Sequence, residues 1–136
     1  MALEYNGSEH KIFLDKYLNA SFGNWTQQNL GILNPFLRDL GPVNAARLSI
    51  SQYLNWSKKY HESIRYAQMI IEDVNVHNLD DNGLRVFSLA HFYLAENYEA
   101  LGDTRNLKII CQEALKILPA GDNNREDFID KLKALQ

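Results

Sequence analysis

The strongest candidate for metal chemistry in this chain is the short polar stretch 78–83, Asn-Leu-Asp-Asp-Asn-Gly. Oxygen-bearing side chains alternate along it and glycine stands sixth, as at the start of a calcium-binding loop. The first position of such a loop should be Asp and is Asn78, and the twelfth should be a bidentate Glu and is Leu89. We therefore interpret this stretch as a turn and helix cap, and predict no metal site.

Residues that could act as nucleophiles or acid–base groups do not form a recognisable motif. The four His residues lack the H-E-x-x-H spacing of a zinc site, and His91 and Cys111 fall on apolar stripes where both are expected to be packed. No phosphate-binding loop, dinucleotide fingerprint or G-x-S-x-G elbow occurs. The sequence therefore predicts a protein without a cofactor and without enzymatic activity.

Length and composition favour one globular domain that spans 1–136. Of 136 residues, 46% are hydrophobic and 23% are charged, which is enough apolar content for a core. The net charge is −3 and the basic residues are scattered, which argues against a nucleic-acid surface. A single Cys favours a reducing compartment, and the absence of a long apolar run argues against a membrane span, so we expect a cytoplasmic protein.

The elements that must position any functional residue are helices, and the clearest of them lie in 88–121. Apolar residues recur there at three- and four-residue steps, which places them on one face of a helix. The first run contains Leu84, Phe87, His91, Leu94, Tyr98 and Leu101, and the second contains Leu107, Cys111, Ala114, Leu115 and Leu118. Gly102 can adopt the left-handed conformation that ends the first helix, and Asp103 or Thr104 can cap the second. Pro119 cannot continue a helix and is expected to end the second one.

This helical hairpin resembles a tetratricopeptide repeat. The residues that match the family pattern are Leu94, Ala95, Tyr98, Ala114 and Pro119. The chain departs from that pattern at His91, Leu107 and Cys111. The resemblance implies an all-α, helical-hairpin solenoid of about three antiparallel helix pairs plus a C-terminal capping helix, because one hairpin cannot bury its apolar face alone.

The rest of the chain is divided in the same way. We predict hairpins at about 8–41, 44–77 and 84–119 and a capping helix at about 123–135, with Gly41-Pro42 ending the first hairpin. Equivalent positions of the last two hairpins lie 44 residues apart, and Lys58-Lys59 supplies the second turn without a glycine. Within the first hairpin, Gly31 and Pro35 weaken the second helix.

The resemblance also implies a function, that of a non-enzymatic protein–protein interaction module. In the family, first helices line a concave groove that takes a peptide or helix of a partner. The groove residues carried over to this chain are Gln52, Asn55, Trp56, Leu89, Phe92, Tyr93 and Glu96, within a wider set that adds Ala45, Leu48, Ser49 and Glu99. This set holds aromatic and acidic side chains but no Lys or Arg, which suits an apolar or basic segment and disfavours a C-terminal carboxylate.

Two alternatives remain open at this point. The chain could be a structural piece of a longer helical-repeat scaffold or a homo-oligomer, or it could be a regulatory domain that senses a peptide. In the simplest interpretation, Phe92 and Tyr93 only pack against a neighbouring helix, since apolar stripes are more often core than binding site.

Overall fold

A computed structural model describes the backbone from Leu30 to Gln136 and the side chains from Leu40 onward, except those at 42, 43 and 46. This part of the chain contains five α-helices and no strand, which confirms the predicted all-α class for it. Residues 1–29, which include most of the hairpin predicted at about 8–41, lie outside the described residues.

Helix α1 spans Leu30–Trp56 and is interrupted at Gly41, whose backbone is not helical (φ 86°, ψ 162°). The glycine makes this positive φ accessible, and Pro42, which has no N–H to donate, is suited to the first turn of the segment that follows. Pro35 is accommodated within the helical backbone. The break that we predicted at Gly41-Pro42 is therefore a kink between two helical segments.

The remaining helices follow with short connections. Helix α2 spans Tyr60–Asp73, and a short 3-10 turn at Val76–Asn78 leads to helix α3, which spans Asp81–Leu101. Helix α4 spans Thr104–Ile117, and helix α5 spans Arg125–Ala134. Asp80 caps α3 by accepting a hydrogen bond from the Gly83 amide (2.8 Å). The polar stretch 78–83 thus serves as a turn and helix cap, as its residues suggested.

Helices α2 and α4 have equal length and are offset by 44 residues. The turns before them have the same geometry: Lys58 and Gly102 both adopt the left-handed conformation, with φ of 63° and 72°. The amides that end the two helices also correspond, Val74 donating to Ile70 O and Leu118 to Ala114 O. The turn and the helix that follows it thus have matching backbone geometry in both places, although only the second turn has a glycine.

Each helix packs against the next one along the chain, and α3 also contacts α1 and α5. One cluster of apolar residues lies around α3 and α4 and includes Ala67, Leu94, Ala95, Leu107, Ile110, Cys111, Ala114, Leu118 and Phe128. A second lies between α1, α2 and α3 and includes Leu40, Leu48, Ile70, Phe87 and Ala90. Helix α3 contributes to both clusters and is the central element of the described fold.

Helix α5 is anchored to the rest of the fold near its first turn. Phe128 is 1% exposed and belongs to the cluster around α3 and α4. Arg125 donates two hydrogen bonds through one guanidinium nitrogen, to the carbonyl oxygens of Leu115 (2.8 Å) and Leu118 (2.9 Å). These carbonyls close α4 and lack helical partners, so the arginine satisfies acceptors that would otherwise need water.

Candidate functional site

The groove residues predicted from the sequence lie on two helices that touch. Gln52, Asn55 and Trp56 are on the last two turns of α1, and Leu89, Phe92, Tyr93 and Glu96 are on α3. All are partly exposed, and Trp56, at 55%, is the most exposed large apolar side chain in the described part of the chain. We call these seven residues the α1–α3 surface.

A hydrogen bond joins α1 and α3 beside this surface: Asn55 Nδ2 donates to Asn97 Oδ1 (2.9 Å). Burial raises the pKa of Tyr93 to about 12, the side chain of Gln52 opposes this, and the charge of Glu96 adds to it. Tyr93 is therefore a neutral phenol at physiological pH.

Three members of the wider set are not on this surface. Ala45, Leu48 and Ser49 are only 1%, 3% and 6% exposed, so the prediction that they line a groove is wrong. Leu48 packs in the cluster between α1, α2 and α3, where its apolar area is removed from water. Of the predicted groove residues on α1, the partly exposed ones are Gln52, Asn55 and Trp56, at its C-terminal end.

Phe92 is half-buried and belongs to both the core and the surface. One side of it packs against the cluster around α3 and α4, and its ring meets that of Tyr93 edge-on with centroids 5.5 Å apart. The Lys131 ammonium lies 5.9 Å from the centroid of the Phe92 ring. This distance is within the range of a cation–π interaction.

Lys131 is a residue of the candidate site that sequence reasoning missed. Its Nζ lies 3.2 Å from Glu96 Oε1 and 3.1 Å from Glu99 Oε1, so α5 supplies a cation that the predicted groove residues of α1 and α3 do not include. Burial works against the charged form, but the hydrogen bonds to Glu99 and Glu96 outweigh it and raise the pKa of Lys131. The apolar stripe of α5 predicted the helix that carries Lys131. Its pairing with Glu96 and Glu99 could not be predicted in this way, because those residues lie on α3 and the approach depends on tertiary packing.

Around this ion pair, α3 and α5 form a shallow depression of about 300 Å³. Phe92, Glu96 and Glu99 line it from α3, and Asp127, Asp130 and Lys131 line it from α5. Four carboxylates thus line the depression, and two of them, Glu96 and Glu99, pair with the Lys131 ammonium. Within the described residues, no group of His, Cys, Asp and Glu has the arrangement of a metal site.

Next to the α1–α3 surface, a chain of buried polar side chains links three helices. Ser51 Oγ donates to Ser63 O (2.9 Å), and Ser63 Oγ donates to Ser51 O (2.6 Å). Asn97 Nδ2 donates to Ser63 Oγ (2.8 Å), while its own Oδ1 accepts from Asn55. Ser51, Ser63 and Asn97 are completely buried. The network therefore fixes how α3 packs on α1 and α2.

The residues considered for acid–base or thiol chemistry are packed in the core. His91 is buried, its Nδ1 lies 3.3 Å from Phe87 O, and burial lowers its pKa to about 4. Cys111 is fully buried, and burial raises the pKa of its thiol to about 11. Neither group is placed to meet a substrate.

We compared the chain with protein-family models, with curated proteins and with solved structures, and none of the three comparisons found a match. Among the helices of the described residues, none combines the length and apolar character that a membrane span requires.

Proposed function

We propose that the chain is a non-enzymatic protein-interaction module of tetratricopeptide-like architecture. The observation that carries the proposal is the packing of α1 against α3, where Asn55 Nδ2 donates to Asn97 Oδ1 (2.9 Å) between two sets of partly exposed side chains. In this proposal the two hairpins are successive repeats of a solenoid, and their first helices line a groove. The 44-residue offset of α2 and α4 and the matching turns at Lys58 and Gly102 support the repeat.

The chemistry of the α1–α3 surface supports a peptide or helix as its ligand. Trp56 and Phe92 offer apolar and aromatic area, and Gln52, Asn55 and Glu96 surround it with polar groups. Aromatic anchors within a polar rim are typical of protein interfaces, because rigid rings bury much area at little entropic cost.

The experiment compares partner capture by the wild-type protein with capture by Trp56→Ala and Phe92→Ala variants. The matched control is Ile109→Ala, which removes an apolar side chain of similar exposure (43%) from α4, outside the α1–α3 surface. We expect captured partners to bind the two surface variants at least tenfold more weakly, and Ile109→Ala normally.

Circular dichroism melting of each variant distinguishes lost binding from lost folding, since Phe92 also contacts the core. Equal binding by all four proteins would contradict the assignment of this surface. Light scattering separately tests the alternative of self-association: a stable homodimer that Trp56→Ala dissolves would show that the surface serves a second copy of the chain.

A further inference from the structure

The polar stretch 78–83 ends in an Asn-Gly pair, Asn82-Gly83, within the first turn of α3. In such a pair the backbone nitrogen of the glycine can attack the side-chain carbon Cγ of the asparagine, since the glycine has no side chain to shield it. The new N–Cγ bond closes a succinimide ring, and the Cγ–Nδ2 bond breaks as ammonia leaves. Water then opens the ring to aspartate or isoaspartate. A dipeptide prone to deamidation thus stands at the start of the central helix.

The structure holds this pair in an unreactive geometry. The Gly83 amide donates to Asp80 Oδ1 (2.8 Å), so its nitrogen is protonated and engaged. Ring closure also needs Asn82 Cβ and the Gly83 nitrogen to be nearly eclipsed about the Cα–C bond, and helical backbone angles hold them apart. Asn82 itself is exposed, so water reaches its side chain. Its protection therefore depends on the helical turn and its cap, and not on burial.

Packing explains why a glycine follows the asparagine. A Cβ at position 83 would lie 3.1 Å from both Cβ and Cδ2 of Leu79, closer than the optimum of about 3.5–4.0 Å between carbon atoms. Gly83 is buried, and Leu79 packs against the cluster between α1, α2 and α3. The residue that makes Asn82 reactive is thus the one that lets the connection from α2 approach α3 closely.

We propose that Asn82 is a site of spontaneous deamidation that the Asp80 cap keeps closed in the folded protein. The reaction proceeds from the fraction of molecules in which the first turn of α3 is open, so its rate measures that fraction. Isoaspartate adds one methylene to the main chain, so the turn cannot re-form with the same hydrogen bonds. Modification makes a transient local opening permanent, and it needs only water and no bound partner.

The test is mass spectrometry of the protein after incubation in mildly alkaline buffer, with isoaspartate and aspartate at 82 separated by chromatography. We expect Asn82 of the folded wild type to deamidate about tenfold or more slowly than in the same protein unfolded in urea. Asp80→Ala, which removes the cap, should accelerate the folded-state reaction about threefold or more and leave the rate in urea unchanged.

The matched control is Asp81→Ala, which removes an exposed carboxylate of the same turn other than the one that caps α3. It should deamidate at close to the wild-type rate. Asp80→Ser retains a capping oxygen and should also stay close to the wild type. Exchange of the Gly83 amide hydrogen, followed by nuclear magnetic resonance, should accelerate in Asp80→Ala by the same factor as deamidation, because both events need the same opening.

Two outcomes would overturn the inference. Equal deamidation of Asn82 in the folded and the unfolded wild type would show that the turn gives no protection. Equal acceleration by Asp80→Ala and Asp81→Ala would show that the cap is not what closes the site. If circular dichroism finds Asp80→Ala unfolded, the comparison of folded with unfolded wild type and the rate of Asp80→Ser decide the question.

Discussion

At the scale of single residues, His91 links the stability of the core to pH. Its folded pKa is lowered to about 4 by burial, whereas an unfolded chain titrates near 6.5. Between these values the unfolded state binds a proton that the folded state does not, so the free energy of unfolding falls as pH falls through this window. The full loss is about 3 kcal/mol.

We therefore expect the free energy of unfolding of His91→Phe to fall less than that of the wild type as the pH is lowered from 7 to 4.5. Phenylalanine is an aromatic of similar size, and it leaves the edge-on contact with Phe87 available. Urea unfolding of both proteins at pH 7 and pH 4.5 measures the effect, and the wild type should lose about 2–3 kcal/mol more than the variant. Parallel profiles would show that His91 does not control this transition.

Asn97 is the second residue whose burial has a measurable consequence. Its side chain both donates to Ser63 and accepts from Asn55, and it is 0% exposed. Asn97→Ala should destabilise the fold by about 2–3 kcal/mol, since it opens a cavity and leaves polar partners unsatisfied. Chemical denaturation checks this, with the exposed Asn123→Ala as control; an equally small change in both would contradict the network's role.

At the scale of the elements, the two hairpin turns offer an exchange experiment. Lys58 adopts a left-handed conformation that is unfavourable for a residue with a Cβ, and Gly102 holds the equivalent place. Lys58→Gly should stabilise the protein by about 0.5–1 kcal/mol, and Gly102→Lys should destabilise it by a similar amount. A Cβ at Gly102 meets nothing within 4 Å, so the second change tests conformation alone.

Thermal melting of the two single variants and of the double exchange measures these effects. The two sites lie in different turns, so we expect their contributions to add. A destabilised Lys58→Gly variant would show that the lysine side chain, rather than its backbone, decides the stability of the first turn.

Where α4 packs against α3, position 114 has room only for a small side chain. Ala114 is completely buried in the cluster that also contains Leu94 and Phe128. Ala114→Phe should destabilise the fold by about 1–3 kcal/mol through overpacking, whereas Ala100→Phe, at an exposed position of α3, should change stability little. If the two variants melt at the same temperature, the packing assigned to α4 is wrong.

At the scale of the whole molecule, and over the residues that the structure describes, the sequence predicted the helical class of the fold but not the tertiary contacts. The periodic runs around Leu94 and Leu107 identify α3 and α4, because a helical stripe is a local property of the chain. The turn at Gly102 was equally clear, whereas the turn at Lys58 has no glycine to indicate its left-handed backbone.

The contacts that decide the candidate site are long-range. Nothing near Lys131 in the sequence indicates that it lies against Glu96 and Glu99, since that approach exists only once α5 packs on α3. Likewise, Ser49 is a polar residue that suggests a surface, but it is buried in the folded chain. Helical spacing gives the direction of a side chain, whereas its exposure depends on which helix packs there.

The buried polar network has a consequence for how such a chain could grow by duplication. Asn97 needs the hydroxyl of Ser63, and 44 residues later that place is occupied by Leu107. A tandem copy of the second hairpin would therefore set its own asparagine against a leucine, with a buried amide left unpaired. The two hairpins are therefore not interchangeable, because only the first has the serine that pairs with the asparagine of the next. A lengthened protein would need Leu107→Ser for the added hairpin to pack in the same way.

Limited proteolysis of a duplicated chain, with and without Leu107→Ser, would show whether the added hairpin is protected only when the serine is present.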